Sequence, residues 1–453
     1  MDRVADAVDF AYALGLMKYA APGRLSHAPF ALTPAPIDPA SHAALESLTA
    51  ASALLALRVA RDGAFLQAAL AEAAQADEFT AWLLALSRAV PPGTAQPLEL
   101  LISRNDFFRV RPAAEQAPLL RQVEFNAIAA SYPGLAGLTH VLHAALWPEL
   151  RPRLAANDPL VGVCAALGDA FRRYGRPEAA ALMIVQAGET NVFDQRLVEL
   201  GLARQGIPLR RVTLDELAQE GRLREGRLVV SGQVCAMAYL RAGYAPEDLA
   251  TPAARQGRTL LEHSDAVVVP RVALQLAGTK KMQQLLSGSE TLRRYLDADT
   301  ARRLQDTFAG LYGLDELVST PAGEQPAWRA ALAAPQRYVL KPQREGGGNN
   351  FYDEGIGRVL GTATARERAG YILMERIHPI PHDAVLVRDG AARRAACVSE
   401  IGRFGVLLAD GESIAVNQDV GYLVRTREQH LREGGISAGF GHLDSLQIEP
   451  APS

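Results

Sequence analysis

Tyr338-Val-Leu-Lys-Pro-Gln-Arg-Glu-Gly-Gly-Gly-Asn-Asn-Phe-Tyr352 is the stretch around which the rest of this sequence falls into place. Tyr338, Val339 and Leu340 suit the end of a buried strand, because aromatic and β-branched residues pack well on a pleated sheet. Lys341 stands at the strand's exit, and Pro342 stops the ladder because it has no N–H to give. Gly346, Gly347 and Gly348 then permit φ > 0 and let backbone N–H groups approach a ligand. Beside that cradle Lys341 and Arg344 would neutralise phosphate oxygens, and Glu345 offers a hard oxygen for Mg²⁺. On the glycines alone the segment is a flexible turn. A strand-end Lys, a loop Glu and the pair Asn349-Asn350 favour a nucleotide-triphosphate clamp instead. No part of the chain matches the phosphate-loop pattern G-x-x-x-x-G-K-[ST], so a different nucleotide fold is implied.

The chain of 453 residues has room for about three domains. Its apolar and charged fractions are ordinarily globular, and a net charge of -3 argues neither for a nucleic-acid partner, so none is expected, nor for an acidic interaction tail. Cys164, Cys235 and Cys397 form no CxxC pair and are expected to pack as small apolar residues in a reducing cytoplasm. Asp2, Asp6 and Asp9 speak against a secretory or mitochondrial leader. No apolar run reads as long enough to span a bilayer, so no membrane partner is expected.

Residues 3–20 and 41–90 carry the spacing of amphipathic helices around a Pro-rich connector at 29–39. Leu98 to Ser103 reads as a strand that exits at Arg104. In residues 121–126, period two puts Glu124 and Asn126 on one face, where two oxygen donors could approach one Mg²⁺ or simply meet solvent. A turn of small residues, 129–134, follows. Residues 137–175 return to helix; His140 and His143 sit a turn apart with no third ligand, which makes them a helix-face pair. From residue 178 strands at 180–185, 209–212 and 228–240 alternate with a helix at 191–203. That is the pattern of a small doubly wound α/β domain, about 178–278. Its strand exits, 189–191 and 241–244, lie where open α/β sheets bind ligands. Residues 281–335 read as helices, and 371–375, 395–400 and 404–408 as strands. Met374-Glu-Arg-Ile377 suits a hinge strand whose backbone bonds an adenine edge. Gly435-Ile-Ser-Ala-Gly439 matches the hydrolase elbow G-x-S-x-G, but the charged and then Gly-rich residues before it suit a mobile loop and not the strand that the elbow needs.

Taken together, VLKPQREGGGNN (339–350), QLAGTKK (275–281), NVFDQR (191–196), ILMERI (372–377) and FAGLYGLDE (308–316) resemble the eukaryotic-type glutathione synthetases over nearly the whole chain. The resemblance implies an α/β ATP-grasp fold. A helical scaffold and the first part of the core would occupy 1–177, the inserted α/β substrate domain 178–278, and the rest of the core 279–453 with a glycine-rich lid at about 315–396. It implies a cytoplasmic homodimer that joins γ-glutamylcysteine to glycine with ATP and Mg²⁺ through an acyl phosphate.

The resemblance also assigns roles. Glu124, Asn126 and Glu345 would hold Mg²⁺. Lys280, Lys341, residues 345–350, Tyr352, Met374, Glu375, Arg376, Ile377, Glu400, Arg427 and Glu433 would hold ATP. Ser131, Glu189, Asn191, Gln195, Arg241 and Tyr244 would grip the dipeptide, with Ala129 contributing backbone only. Arg104 would stabilise the reacting phosphoryl group and Arg425 the acceptor's carboxylate, with Ile436 and Ser437 in the acceptor loop. Ala129 stands where the family has Ser, Arg427 replaces a Lys and Glu433 an Asp. Three alternatives remain at this point: a related ligase with another small acceptor such as β-alanine, a Ser437 hydrolase, and a non-catalytic binding relative.

Overall fold

A seven-stranded sheet carries the candidate site in the computed structural model, which describes residues 3–21, 23–90, 96–113, 116–321, 323–436 and 438–449. Its order is His382–Arg388, Phe30–Ala31, His442–Asp444, Ser413–Glu428, Ala391–Asp410, Leu98–Val110 and Leu119–Asn126. Every neighbouring pair is antiparallel except His442–Asp444 with Phe30–Ala31. The first part of Ala391–Asp410 also pairs with His382–Arg388, so five strands form a closed circuit of pairings.

The strand Leu98–Val110 does not end at Ser103. The polar run Arg104-Asn105-Asp106, which resembles an exit, is buried and fully engaged. Asn105 donates to Ser52 Oγ at 2.8 Å and accepts from Gln122 at 2.6 Å, while Arg104 and Asp106 pair on the other face. The two strands read at 395–400 and 404–408 are likewise one, Ala391–Asp410.

Residues 41–90 resolve into Pro39–Arg61, Gly63–Ala76 and Glu78–Ala89. Asp38, Asp62 and Asp77 cap the three in turn, each accepting from a backbone N–H three residues on at 2.8 to 3.0 Å. Contrary to the reading of the sequence, Pro39–Arg61 is long and apolar enough to cross a membrane; most of it is buried within the fold, against the sheet. The first helix stops at Leu14, not residue 20. Gly15 turns the chain at φ +76, and Met17–Ala21 pairs with Arg24–His27. The helix read at 137–175 is two, Pro133–Leu146 and Pro159–Arg173, parted by a short turn containing Pro148 and Pro152. His143 is no surface residue. It is buried, with Nδ1 against Ser445 Oγ at 2.6 Å and Nε2 against Ala31 O at 2.8 Å.

Leu209–Val212, Ala180–Ile184, Gln233–Leu240 and Val267–Val269 form a parallel run in that order, extended by the antiparallel strands Arg227–Val230 and Gly221–Arg224. Residues 281–335 are not all helix. The helices end at Gln305, and three short strands, Leu311–Gly313, Leu317–Thr320 and Gly323–Pro326, precede the helix Ala327–Ala333. Leu311–Gly313 joins Tyr371–Glu375, Tyr338–Pro342 and Phe351–Tyr352 in an antiparallel sheet with its own small core of Leu314, Ala331, Leu340, Ile356 and Leu373. The three cysteines are buried and unpaired, and burial pushes the Cys164 thiol up to about 12.

Asp444 lies wholly inside the main sheet, accepting from Thr426 Oγ1 at 2.6 Å and Ser445 N at 2.8 Å. Burial outweighs those bonds and raises its pKa from 3.8 to about 7. The protonated form is therefore favoured in the fold, and this group's stabilisation is lost as pH rises through about 7. At one pKa unit per roughly 1.4 kcal/mol, full ionisation costs on the order of 4 kcal/mol. Asp444→Asn should gain stability relative to the natural chain as pH is raised from about 5 to about 8, measured by urea unfolding at each pH. Parallel curves for the two proteins would show the carboxylate to be ionised throughout.

Candidate active site

Cross-strand register assembles the floor of the site. Arg104 stands opposite Asn126, Asp106 opposite Glu124, and Glu400 opposite Arg425. Side chains two apart on a strand, or directly opposite, share a face. One face of four adjacent strands therefore carries Arg104, Asp106, Glu124, Asn126, Glu400 and Arg425. All but Asp106 line a cavity of about 440 Å³, and Asp106 lies beneath it with no exposed surface.

The small sheet supplies the opposite wall. Lys341 is buried at its strand end, its Nζ donating to Val123 O at 2.8 Å. Lys280, at the start of the helix Lys280–Leu286, places its ammonium 3.0 Å from Glu124 and 3.1 Å from Glu345. It is thus a bridge behind the cavity and not a lining residue. Gly346, Gly347, Asn350 and Tyr352 line the cavity; Gly348 and the exposed Asn349 do not. Glu433, from the C-terminal loop, accepts from Gly348 N at 3.4 Å, Asn350 Nδ2 at 3.3 Å and Tyr352 OH at 3.2 Å. Gly346 and Gly348 take φ +86 and +89, whereas Gly347 does not need the left-handed region; a Cβ there would lie 4.0 Å from Gly435. The conformational demand in this run falls on its first and third glycines.

Met374, Glu375, Arg376 and Ile377 line the cavity beside Phe108, Val339 and Val398, an apolar slot with a backbone edge. Glu375 N and Arg376 N are taken by Gly310 O and Arg337 O, both at 2.8 Å. Arg427 completes that end with its guanidinium over the Phe108 ring, while Ile436 lines the cavity and packs in the core that holds Ala130 and Leu135. Arg344 is not a phosphate contact. It donates to Asp77 Oδ1 at 2.7 Å, away from the cavity, and so fastens the glycine loop to the helical scaffold.

Towards the parallel sheet, Ala129, Ser131 and Tyr244 line the cavity. Ala129 is held at φ +50 and Tyr132 at φ +76. Arg241 lies behind, donating to Ser131 Oγ at 2.7 Å and facing Asp194 at 3.6 Å. Asp194 in turn accepts from Tyr132 N and Gly134 N at 2.8 and 2.9 Å. Glu189 accepts from Asn191 N at 2.7 Å and from Gln195 Nε2. Glu189, Asn191, Gln195 and Arg241 thus make a layer behind the cavity wall, and buried Gln195 Oε1 and Arg241 Nε have no hydrogen-bond partner among the described residues. Ser437 lies outside the described residues.

Burial opposes every charge here, and the cations decide which carboxylates stay ionised. Against its own burial, Glu124 is held well below the usual carboxylate range by Lys280, Lys341 and Arg425. Burial wins for Glu345 and Glu400, which are raised. Burial also lowers Lys341, whereas Glu124 and Glu345 together overcome it for Lys280, which is raised. Such a site neutralises and aligns an anionic group; among the described residues it offers no paired nucleophile and base. Asp106 is the participant that the sequence concealed, inside a polar triplet that reads as a strand end.

The family model described as "Eukaryotic glutathione synthase, ATP binding domain" matches residues 3–448. The chain is 39% identical to the glutathione synthetase of Homo sapiens over 434 residues, 93% of this chain and 90% of that one. It is 38% identical to the chloroplastic glutathione synthetase of Solanum lycopersicum over 408 residues, 86% and 72% of the two chains. Among solved structures, a glutathione synthetase-like effector from Globodera pallida in apo form matches with a TM-score of 0.79 over 99% of this chain and 96% of that one, at 20% identity, a likeness of fold.

The glycine run yields a test. Nothing lies within 4 Å of a Cβ built on Gly348, so Gly348→Val strains only the backbone, at φ +89. Calorimetric titration with ATP should show roughly tenfold or greater weakening, because a valine loop that relaxes away from this φ when free must take up about 1–3 kcal/mol of backbone strain to bind, while the apo melting temperature holds. A collapse in melting temperature would mean that this glycine serves the fold alone.

Proposed function

This chain belongs to the eukaryotic glutathione synthase family, and on that premise we propose that it joins γ-glutamylcysteine to glycine, consuming ATP, in the cavity described above. The observation that carries this reading is the convergence of Arg104, Glu124, Asn126, Lys341, Glu345 and Arg425 on one cavity beside an apolar slot. A carboxylate does not condense with an amine until one of its oxygens becomes a leaving group. Transfer of the γ-phosphoryl makes that group; the amine then attacks the acyl phosphate and phosphate departs. Neither step needs a protein nucleophile, only charge neutralisation and alignment.

Mg²⁺ belongs to the proposal. Glu124, Asn126 and Glu345 are hard oxygen donors, and the two carboxylates approach closely enough to share the Lys280 ammonium. When bound, the ion would neutralise phosphate oxygens. Lys341 and the N–H groups of 346–350 would hold the phosphates, 374–377 the adenine edge, and Glu400, Arg427 and Glu433 the rest of the nucleotide. Ser131, Arg241, Tyr244 and the layer at 189–195 would grip the dipeptide, Arg104 would face the transferring phosphoryl group, and Arg425 the acceptor carboxylate. The domain limits 1–177, 178–278 and 279–453, a lid at about 315–396, a homodimer and a cytoplasmic location complete the reading; buried, unpaired cysteines suit a reducing compartment.

The hydrolase alternative lacks support. The strand Ser413–Glu428 ends well before Ser437, and no helix follows among the described residues. Phosphate release should require ATP, γ-glutamylcysteine and glycine together; product formation without ATP would overturn the ligase reading.

Glycine should be the preferred acceptor. Small pocket walls discriminate one methylene by only about 1–3 kcal/mol, so selection would rest on the span from Arg425 to the acyl phosphate. β-Alanine puts an extra carbon into that span and misplaces its amine. Side-by-side kcat/KM values should rank glycine above β-alanine and serine; a β-alanine value equal to glycine's would reassign the acceptor.

A further inference from the structure

We propose that Asp106 is a positioning residue of the ligation site, whose single carboxylate sets Arg104 and Arg425 in place and turns the side-chain oxygen of Asn126 toward the cation site. The proposal deepens the function reading above and rests on it.

Asp106 has no exposed surface, and four N–H groups converge on it. Its Oδ1 accepts from Arg104 Nε at 2.7 Å. Its Oδ2 accepts from Arg104 Nη2 at 2.9 Å, from Arg425 Nη2 at 2.8 Å and from Asn126 Nδ2 at 3.1 Å. The two bonds to Arg104 form a fork that fixes the plane of its guanidinium. The remaining arm, Nη1, reaches Ser131 O at 3.3 Å on the dipeptide side of the cavity. Arg425 Nη2 is shared between Asp106 and Glu400, so its position is set from two sides. Asn126 Nδ2 donates to Arg104 O at 3.1 Å as well as to Asp106, which occupies both amide hydrogens. Oδ1 is then the atom left for the cavity, as a hard-cation ligand requires.

The sheet is built around this carboxylate. Gly402 stands opposite Asp106 in register, and a Cβ there would lie 2.4 Å from Asp106 Oδ1 and 2.7 Å from Arg104 Cδ. The neighbouring Asn105 is spent on Ser52 and Gln122 and serves the scaffold. Asp106 alone among these buried groups touches three cavity-lining residues and is not itself in the cavity.

Two variants of the full chain test this. Asp106→Asn keeps the shape and removes the charge; Gly402→Ala keeps every site group and displaces the carboxylate together with the Arg104 side chain paired to it. Each is measured for Mn²⁺ affinity by electron paramagnetic resonance, for kcat and the KM values of glycine and γ-glutamylcysteine, and for melting temperature. Both should weaken Mn²⁺ by about tenfold or more, as loss of an outer-shell partner does. Glycine KM should rise by roughly tenfold and kcat fall by about a hundredfold, while the KM for γ-glutamylcysteine changes little. Folded variants with unaltered Mn²⁺ affinity and glycine KM would overturn the proposal. If Asp106→Asn does not fold, Gly402→Ala decides by the same measures. The Mn²⁺ titration needs no ligation, so a natural chain that fails to make product would overturn the function reading while still reporting on Asp106.

Discussion

The ammonium of Lys280, 3.0 Å from Glu124 and 3.1 Å from Glu345, is the contact on which the geometry of the site depends. Glu124 belongs to the large sheet, Glu345 to the glycine loop of the small one, and Lys280 to a helix between them. Two carboxylates facing each other in a buried place would repel and lose solvation, at a cost of several kcal/mol per ion. A cation between them converts that repulsion into a joint. Lys341 Nζ reaching Val123 O adds a second tie across the same gap. The two sheets meet where charge must be neutralised, so the cavity has a defined width before any ligand arrives.

The same logic governs the loops. Glu433 touches Gly348, Asn350 and Tyr352, and a Cβ on Gly347 would come within 4.0 Å of Gly435, so the two glycine-rich segments approach each other over the cavity. At its far end the glycine loop is fastened through Arg344 to Asp77, which also caps the helix Glu78–Ala89. A closed cover keeps water from an acyl phosphate, which would otherwise hydrolyse.

Period two is enough to put Glu124 and Asn126 on one face, and the Lys341 to Tyr352 run is enough to mark one wall of the cavity. These are local signals, carried by side-chain alternation and by glycine. What failed was partner choice between distant residues. Arg344 looks like a phosphate ligand from its neighbours in sequence, yet its partner is Asp77, 267 positions away. Arg104 and Asp106 look like a strand's solvent exit because charged residues rarely sit in a sheet's interior. Arg104 and Asp106 answer each other's charge, and the return of Ser413–Glu428 two strands away adds Arg425 to the same carboxylate. Which glycine in a run carries the positive φ is likewise invisible to composition, and the strand Met17–Ala21 is hidden because the helical spacing of residues 3–14 runs on past the turn at Gly15.

The distribution of protonation preferences then follows from position on the floor. Glu124 lies among three cations and is held ionised, whereas Glu345 and Glu400 feel burial more than attraction and are raised. Lys341 is lowered by burial with Lys280 near it, so its proton is held less firmly than in water. A polyanion entering the cavity opposes the shifts of Glu124 and Lys341 and deepens those of Glu345 and Glu400. It favours the charged form of Lys341 and disfavours that of the acidic groups, unless a cation accompanies it. Binding of the nucleotide alone should therefore be self-limiting at Glu345, and binding together with a divalent cation should not. The arrangement favours joint entry because an added cation offsets the repulsion between the entering phosphates and the carboxylates already there.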